Sequence, residues 1–229
     1  MSETVEMKII AHIRSDFPTK FGIPRQSGLV DTLQADIVFA SEYQNPDALR
    51  GLEEFSHLWL IWQCSEAVRE DWRPTVRPPR LGGNTRMGVF ATRSPFRPNA
   101  IGLSSVRLLG IDLHTPEGPL LHVAGADLMD GTPIFDIKPY LPYADAHPDA
   151  AAGFTGHLTR HDLTVIFPDT LREKLPADKQ AAAAGVLAND PRPSYQNDPG
   201  RIYGMEFAGF DLRFTVDETT LTVRSVEPL

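Results

Sequence analysis

The chain has 229 residues, of which 41% are hydrophobic and 23% charged, which favours a packed core and argues against wholesale disorder. Its single cysteine, Cys64, excludes a disulfide framework and a cysteine-rich metal site. No apolar leader follows the opening MSETVEMK, and no apolar run approaches the roughly 20 residues that span a bilayer. We therefore expect a soluble, cytoplasmic protein.

The first half of the chain reads mostly as β-strands. The one clear helix start is Asn45-Pro46-Asp47, where an Asn cap precedes a proline at the first helical position. The segment HLWLIWQC is apolar on both faces, as in a strand that is covered on both sides. We predict a closed or strongly curved β-sheet rather than a doubly wound α/β fold. The predicted strands cover residues 7–13, 35–40, 57–64, 87–92, 101–113, 120–128 and 132–137.

The second half of the chain differs from the first in its pattern of predicted elements. A segment rich in small residues with proline and glycine, YADAHPDAAAGFTG at residues 143–156, separates the two halves. Strands are predicted over 157–167, 201–215 and 220–226, and a helix over 169–188 that Pro176 splits. The pattern therefore predicts a small α+β domain from about residue 150, after the β-rich first half.

Charge is segregated along the chain. The net charge is -8, yet residues 73–111 hold seven arginines and no Asp, Glu or Lys, which leaves -8 - 7 = -15 on the rest. Arginine presents planar forks that suit phosphates, carboxylates and stacked bases. A concentrated patch on an acidic protein indicates a polyanionic partner. The alternative is an arginine-rich loop paired internally with the surplus carboxylates.

Several common catalytic motifs are missing. There is no Walker loop and no GxGxxG fingerprint, because Leu81-Gly82-Gly83-Asn84 lacks the strand–turn–helix setting. His157 and His161 stand four residues apart without a third ligand, so no metal site is predicted. The serines at 94, 104 and 105 lack a nucleophile-elbow context. A Rossmann-type cofactor enzyme and an acyl-transfer enzyme are therefore not indicated.

Three segments place polar side chains in apolar or proline-stiffened settings. They are PRQSG at 24–28, TRSPFRPNAIG at 92–102, and DLMDGTPIFDIKPYLP at 127–142. Prolines fix the direction in which the neighbouring side chains leave the backbone, at low entropic cost. Each segment alone is compatible with turn chemistry and an internal ion pair. Together with the arginines, the three segments predict a polar cleft.

These strings, with GLEEFSHLWL and WRPTVRPPRLGGNTRMGVFATRSPFRPNAIGLS, closely resemble the TsaA-like, TrmO-type tRNA methyltransferases. The resemblance covers residues 8–145 and continues more weakly in DPRPSY at 190–195. It implies an S-adenosylmethionine-dependent enzyme that methylates N6 of threonylcarbamoyladenosine at position 37, just 3′ of the anticodon, notably in a threonine tRNA. It also implies a mainly β fold, with a single-sheet β-barrel catalytic domain at residues 1–145 that binds S-adenosylmethionine and a small α+β C-terminal domain at 146–229. A homodimer is implied as well.

The resemblance also implies roles for individual residues. Arg93 would take a carboxylate, Leu103 would contact a flat base, and Glu66 or Asp127 would accept from ribose hydroxyls. The chain departs from the family in having Ser27 where proline is frequent, and Ser65-Glu66 where His-Gln is frequent. The implied cofactor-binding residues are Gln26, Ser27, Gly28, Ser65, Glu66, Arg93, Leu103, Ala124, Gly125, Ala126 and Asp127.

The resemblance points to two further sets of residues, one for the methyl-transfer reaction and one for binding the tRNA. Asp136 or Tyr140 would assist removal of the acceptor proton, while Lys138 would lower a neighbour's pKa or bind the threonyl carboxylate. The same Asp–Lys pair could instead be a structural ion pair. The implied tRNA-binding residues are Arg73, Arg77, Arg80, Arg86 and Arg97.

Two other functions remain compatible with the residues. One is a noncatalytic RNA-binding β-barrel that uses the same arginines. The other is a methyltransferase that uses S-adenosylmethionine and binds an acidic small molecule through the arginines.

Overall fold

The computed structural model describes residues 3–69, 71–157, 162–193 and 198–229. The α-helices are α1 Pro142–Asp145, α2 Asp169–Arg172 and α3 Ala177–Ala188. Within these ranges, the helices are too short or too polar to reach from one side of a membrane to the other. The strands are β1 Ala11–Arg14, β2 Gln34–Phe39, β3 His57–Gln63, β4 Thr75–Val76, β5 Met87–Gly88, β6 Ile101–Thr115, β7 Gly118–Ala124, β8 Pro133–Pro139, β9 Thr164–Ile166, β10 Tyr203–Phe207, β11 Phe210–Asp217 and β12 Thr220–Pro228.

The N-terminal part folds into a closed antiparallel barrel with the strand order β1-β2-β7-β6-β3-β8. Alternate residues of each strand point inward, so the alternating sequence pattern fills the barrel with aliphatic side chains. Ile37, Leu60, Leu121 and Ile134 are completely buried there. Pairing of Ala11 with Ile134 closes the barrel between β1 and β8. The predicted fold class, a mainly β barrel followed by a small α+β domain, is confirmed.

The C-terminal part is a sheet in the order β10-β11-β12-β9, with β9 parallel to β12. Helix α3 buries Ala183 and Leu187 in a core that also contains Phe207 and Phe214. Pro176 caps the start of α3, so the predicted split of the helical segment is confirmed. We propose residues 1–145 and 146–229 as the two domains.

The connection between β1 and β2 joins the barrel to the C-terminal core. Phe17 and Val30 of this connection are buried in the same apolar cluster as α3 and the C-terminal sheet. Asp16 forms an ion pair with Lys179 of α3 at 2.8 Å. A side chain on Gly22, whose φ is +94°, would overlap the Met205 thioether. The C-terminal domain therefore anchors the segment that carries Gln26.

Four strand predictions were wrong in their extent. The strand predicted at 7–13 begins only at Ala11, and the one at 120–128 ends at Ala124 because Gly125 has a φ of +78°. The strand predicted at 87–92 keeps only Met87–Gly88, since a 3-10 turn over Val89–Ala91 replaces the rest. The segment at 201–215 is a hairpin that turns at Ala208 and Gly209, both with positive φ.

Three other segments also differ from expectation. Strand β3 buries Leu58 and Leu60 on its inner side, but Trp59 and Ile61 on the outer side are only part-buried, so it is not covered on both faces. The predicted helix start at Asn45 is a 3-10 turn over Pro46–Leu49, in which Asn45 Oδ1 accepts from the Asp47 N–H at 3.0 Å. Of the strand predicted at 157–167, the described residues contain Thr164–Ile166, and residues 158–161 lie outside them.

Candidate active site

A cleft opens where strand β6 parts from β7. Pairing between these strands begins at Arg107 and Ala124, so the first part of β6 pairs only with β3. Because ladder hydrogen bonds alternate along a strand, the backbone N–H and C=O of Leu103 face this gap rather than β3. The Leu103 side chain is 54% exposed. The cleft, called here the β6 cleft, has a volume of about 710 Å³.

Two glycines bring distant segments together beside the β6 cleft. The Gly28 N–H donates to the Gly125 carbonyl at 2.8 Å, and both residues have positive φ angles of +74° and +78°. A Cβ on Gly125 would lie 3.2 Å from Gly28 Cα and 3.3 Å from Gly28 N. Glycine is therefore required at position 125 for both conformation and close approach. This crossing places the Gln26–Gly28 segment against the strand end at residues 124–127.

Gln26 and Arg93 form a direct contact at the mouth of the cleft. An Arg93 guanidinium N–H donates to Gln26 Oε1 at 2.5 Å, and the Gln26 Nε2 donates to the Arg25 carbonyl at 2.5 Å. Arg25 in turn donates to the carbonyl of Arg192 in the C-terminal domain at 3.0 Å. A chain of hydrogen bonds thus links the C-terminal domain to the guanidinium of Arg93.

Asp127 lies on the inner wall of the same cleft. Its carboxylate accepts from Ser104 Oγ at 2.5 Å, and Ser104 Oγ accepts from the Trp62 indole N–H at 3.0 Å. Burial raises the pKa of Asp127, while the Ser104 hydrogen bond, backbone N–H groups and the charge of Arg93 act in the opposite direction. Gln26, Arg93 and Asp127 therefore converge in one cleft, as the sequence predicted.

The remaining implied cofactor residues occupy different positions. Ser27 Oγ accepts from the Ser105 N–H at 3.2 Å and so caps the free edge of β6. Ala124, Gly125 and Ala126 form a buried wall. Ser65 and Glu66 are exposed in a 3-10 turn that follows Cys64, and Glu66 pairs with Lys20 at 3.3 Å. These two therefore stand beside the lining of the β6 cleft rather than in it.

Most of the predicted tRNA-binding arginines lie in one segment with its own two-stranded sheet, residues 72–92, called here the arginine arm. Its base is the β4–β5 pair, with Thr75 opposite Gly88, and buried Val89 donates to the Pro74 carbonyl at 2.9 Å. Arg73, Arg77 and Arg86 are exposed and line a second cavity of about 1430 Å³. Within the described ranges, none of these three forms an ion pair with a carboxylate.

The second cavity, called here the arginine cavity, is continuous with the β6 cleft. Residues that line both include Gln26, Phe90, Arg93 and Arg97. Arg97 differs from the arm because its guanidinium donates to the Thr92 carbonyl of its own loop at 3.1 Å. The Arg80 side chain lies outside the described part of the structure, although its backbone belongs to a 3-10 turn over Pro79–Leu81.

Asp136, Lys138 and Tyr140 share one face of β8 and its extension, as predicted. Asp136 and Lys138 form an ion pair at 2.9 Å, and this hydrogen bond and charge raise the pKa of Lys138. The Tyr140 ring packs against Trp59 with centroids 5.5 Å apart. Neither the β6 cleft nor the arginine cavity is lined by these three residues.

Strand register relates this group to the cleft. Ile61 of β3 stands opposite both Asp136 and Leu103, so the three side chains point to the same outer face of the barrel. Two strand spacings separate Asp136 from Leu103, which amounts to about 10 Å. Among the described residues there is also no cluster of three His, Cys, Asp or Glu side chains that could hold a metal ion.

Sequence reasoning missed the residues that support the site. Trp62 and Ser104 were assigned to strands, yet they orient Asp127. Trp72 and Phe90 line the arginine cavity, and Phe90 also lines the β6 cleft. The available signal was their position in the chain: Trp72 directly precedes the acid-free arginine segment and Phe90 lies within it, where an apolar core is not expected.

Comparison with known proteins identifies the family. The family model described as "tRNA-methyltransferase O N-terminal domain" matches residues 12–146, and the one described as "TrmO C-terminal domain" matches residues 160–229. The chain belongs to the tRNA-methyltransferase O family. The resemblance stated from sequence is therefore confirmed, including the prediction of a tRNA methyltransferase enzyme.

Individual relatives extend over most of the chain. The Escherichia coli K12 protein named tRNA (adenine(37)-N6)-methyltransferase is 42% identical over 227 residues, which cover 96% of each chain. A Pseudomonas aeruginosa PAO1 protein named putative S-adenosylmethionine-dependent methyltransferase RcsF is 41% identical over 213 residues, 90% of each. A crystal structure of TrmO from Pseudomonas aeruginosa superposes with a TM-score of 0.78 at 33% identity, covering 98% of this chain and 99% of that one.

Proposed function

We propose that this chain transfers a methyl group from S-adenosylmethionine to N6 of the adenine at position 37 of tRNA. The observation that carries the proposal is the convergence of Gln26, Arg93 and Asp127 in a cleft that opens into an arginine-lined cavity. The name of the Escherichia coli relative supports the same reaction.

The residues of the β6 cleft fit S-adenosylmethionine. Its volume of about 710 Å³ suits a small-molecule cofactor. The Arg93 fork would bind the carboxylate of the methionine part, and exposed Leu103 would contact the adenine. The carboxylate of Asp127, on the inner wall of the cleft, would accept hydrogen bonds from ribose hydroxyls. The Gly28–Gly125 crossing keeps backbone groups at this wall, so the departure at Ser27 does not remove them.

The protein contributes position more than reactivity. When bound, S-adenosylmethionine supplies an electrophilic methyl group on a sulfonium. Correct placement of two reactants can lower a barrier by roughly 7–11 kcal/mol, provided that the groups that hold them are rigid. Arg93 is positioned by its hydrogen bond to Gln26, and Gln26 is held in turn by its own hydrogen bond to the Arg25 carbonyl. The cleft therefore needs no covalent nucleophile.

We further propose that the acceptor is threonylcarbamoyladenosine, in a threonine tRNA. The threonyl group carries a carboxylate, and the arginine arm offers exposed guanidinium groups that make no ion pair with described carboxylates. The same arm would bind phosphates of the anticodon stem-loop, since arginine forks match both anions. Arg73, Arg77, Arg80, Arg86 and Arg97 remain the proposed tRNA contacts.

The acceptor nitrogen belongs to a urea-like group, so it is a weak nucleophile until its proton is removed. We propose Asp136 or Tyr140 for this step, because Asp136 lies on the same outer face as Leu103. The Asp136–Lys138 ion pair is equally consistent with a structural role. Asp136→Asn separates the two: a proton acceptor loses kcat with an unchanged cofactor Kd, whereas a structural pair loses thermal stability instead.

Nucleoside analysis of tRNA tests the proposed function. We expect a strain that lacks this chain to lose N6-methylated threonylcarbamoyladenosine, and the purified chain with labelled S-adenosylmethionine to restore it in tRNA from that strain. Persistence of the methylated nucleoside in the deletion strain would contradict the proposal. A chain that binds the cofactor but methylates no tRNA would be a small-molecule methyltransferase, and one that binds RNA but no cofactor would be a noncatalytic RNA-binding barrel.

Two implied properties stay predictions. We expect a homodimer, which sedimentation of the purified chain tests, and a cytoplasmic location, which cell fractionation tests.

A further inference from the structure

Two large aromatic side chains are exposed at the base of the arginine arm. Phe90 is 73% exposed and Trp72 is 50% exposed. Their ring centroids lie 6.1 Å apart with an interplanar angle of 33°, so the rings contact each other and form one continuous apolar surface. Contiguous exposed apolar patches of this kind mark interaction sites more often than single exposed side chains do.

The turn that carries Phe90 is held by backbone contacts, and the cavity around the two rings is lined by arginines. Buried Val89, directly before Phe90, fixes the turn, and its N–H donates to the Pro74 carbonyl at 2.9 Å. Arg73 follows Trp72 in the chain, and Arg77 and Arg86 line the same cavity. The aromatic surface therefore has a defined orientation inside a cavity with a positive rim.

We propose that Trp72 and Phe90 form a stacking surface for an unstacked base of the tRNA anticodon loop. This inference rests on the proposed tRNA substrate and adds a contact to it. Proteins bind single-stranded RNA by combining cationic grooves with aromatic side chains on which bases stack. Phe90 lines both the arginine cavity and the β6 cleft, so a base on its ring would lie at the entrance to the proposed methyl donor.

The charge around the rings favours a nucleobase over a second protein surface. The cavity that these rings line also has Arg73, Arg77 and Arg86, which form no ion pair with a described carboxylate. Among its described lining residues only Asp71 is acidic, so the cavity keeps an excess of positive charge that RNA phosphates would neutralise. The same cavity holds a further aromatic residue beside a cation, because the Arg69 guanidinium lies 4.1 Å from the Phe96 ring centroid. An RNA loop supplies both the flat base and the phosphates that such a surface needs.

The test compares leucine with aromatic replacements at the two positions. Leucine keeps much of the apolar area but removes the π face, so Phe90→Leu and Trp72→Leu should each weaken binding of a fluorescein-labelled anticodon stem-loop RNA by roughly fivefold or more. Phe90→Tyr and Trp72→Phe should retain affinity within about twofold, since each keeps a ring that can stack. A blunt RNA duplex with the same number of phosphates offers no unstacked base, and its affinity should not change in any variant.

A second probe locates the base. Stem-loop RNAs with 2-aminopurine at each unpaired loop position in turn should show stacking-dependent quenching at one position with the wild-type chain. Phe90→Leu or Trp72→Leu should abolish that quenching. Circular dichroism and thermal unfolding confirm that the variants are folded.

Three results would overturn the stacking surface. Leucine variants that bind the stem-loop like the wild type would show that no base stacks there. Leucine variants that dissociate an oligomer on sedimentation would assign the rings to a second copy of the chain. An equal loss of S-adenosylmethionine affinity in Phe90→Leu would assign that ring to the cofactor. The proposed function itself fails separately, through absence of tRNA methylation by the wild-type chain.

Discussion

Arg93 donates a hydrogen bond to the side-chain oxygen of Gln26 at 2.5 Å, although 67 residues separate the two in the chain. The contact brings a guanidinium to the wall formed by the segment before β2. Gln26 is held in turn through Arg25, which donates to the Arg192 carbonyl of the C-terminal domain at 3.0 Å. The C-terminal domain thus supports the geometry of the proposed cofactor site from outside the barrel.

Arg93→Ala should weaken S-adenosylmethionine binding by about tenfold or more, because a charge-assisted hydrogen bond contributes roughly 1.5–3 kcal/mol. The Kd of Arg93→Lys should lie between those of the wild type and Arg93→Ala, since lysine keeps the charge but loses the planar fork. Isothermal titration with the cofactor measures both. Arg50→Ala, at an exposed arginine that pairs with Asp47, serves as the control. An unchanged Kd in Arg93→Ala would remove this residue from the cofactor site.

Gly102→Ala should destabilise the barrel by about 1–3 kcal/mol, because the new Cβ would overlap the Trp62 indole inside a packed strand pair. Gly110→Ala in the same strand is the matched control. No heavy atom lies within 4 Å of its Cβ position and its φ lies outside the left-handed region, so stability should be unchanged or slightly higher. Urea unfolding of the two variants measures the difference. Equal stabilities would show that the packing around Trp62 is loose.

Arg77→Ala combined with Arg86→Ala should lower tRNA affinity and flatten its dependence on salt. Each lost phosphate contact reduces the slope of log K against log salt by roughly 0.7–0.9, so the double variant should lose about 1.4–1.8. Binding of tRNA at several potassium chloride concentrations gives the slope. S-adenosylmethionine binding should stay unaffected. An unaltered slope of log K against log salt would show that neither arginine contacts a phosphate.

Cys64 offers a test that depends on pH. Burial raises the pKa of its thiol to about 11, so about one part in a thousand is thiolate at pH 8. Alkylation by iodoacetamide should therefore be slow at neutral pH and should rise about tenfold per pH unit up to pH 10. Since Cys64 lines the β6 cleft, S-adenosylmethionine should slow the reaction further. A rate that levels off near pH 9, as expected for the urea-unfolded chain, would contradict the raised pKa of this partly buried thiol.

The barrel was predictable because its strands alternate between buried and exposed residues. Positions such as Ile37, Leu58 and Leu60 point inward and alternate with polar or part-exposed neighbours. The split at Pro176 was also predictable, since proline cannot continue a helix from within. The residues at which strands end were harder to predict. The end of β7 depends on Gly125, whose conformation is set by its contact with Gly28 far away in the chain.

The candidate site was predictable only as a set of residue types. Resemblance placed Gln26, Arg93 and Asp127 together, and the fold brings them into one cleft. It did not indicate that Ser104 holds Asp127, because a serine inside a strand carries no signal of its partner. Exposed Phe90 was assigned to a strand for a related reason: an aromatic residue in a sequence looks the same whether it faces the core or the solvent.

A crystal structure of the chain with S-adenosylmethionine tests the central claim most directly. We predict that the cofactor lies in the β6 cleft, with its carboxylate on Arg93, its adenine on Leu103 and its methyl group directed toward the arginine cavity. Cofactor bound elsewhere on the barrel, away from Gln26, Arg93 and Asp127, would contradict the account.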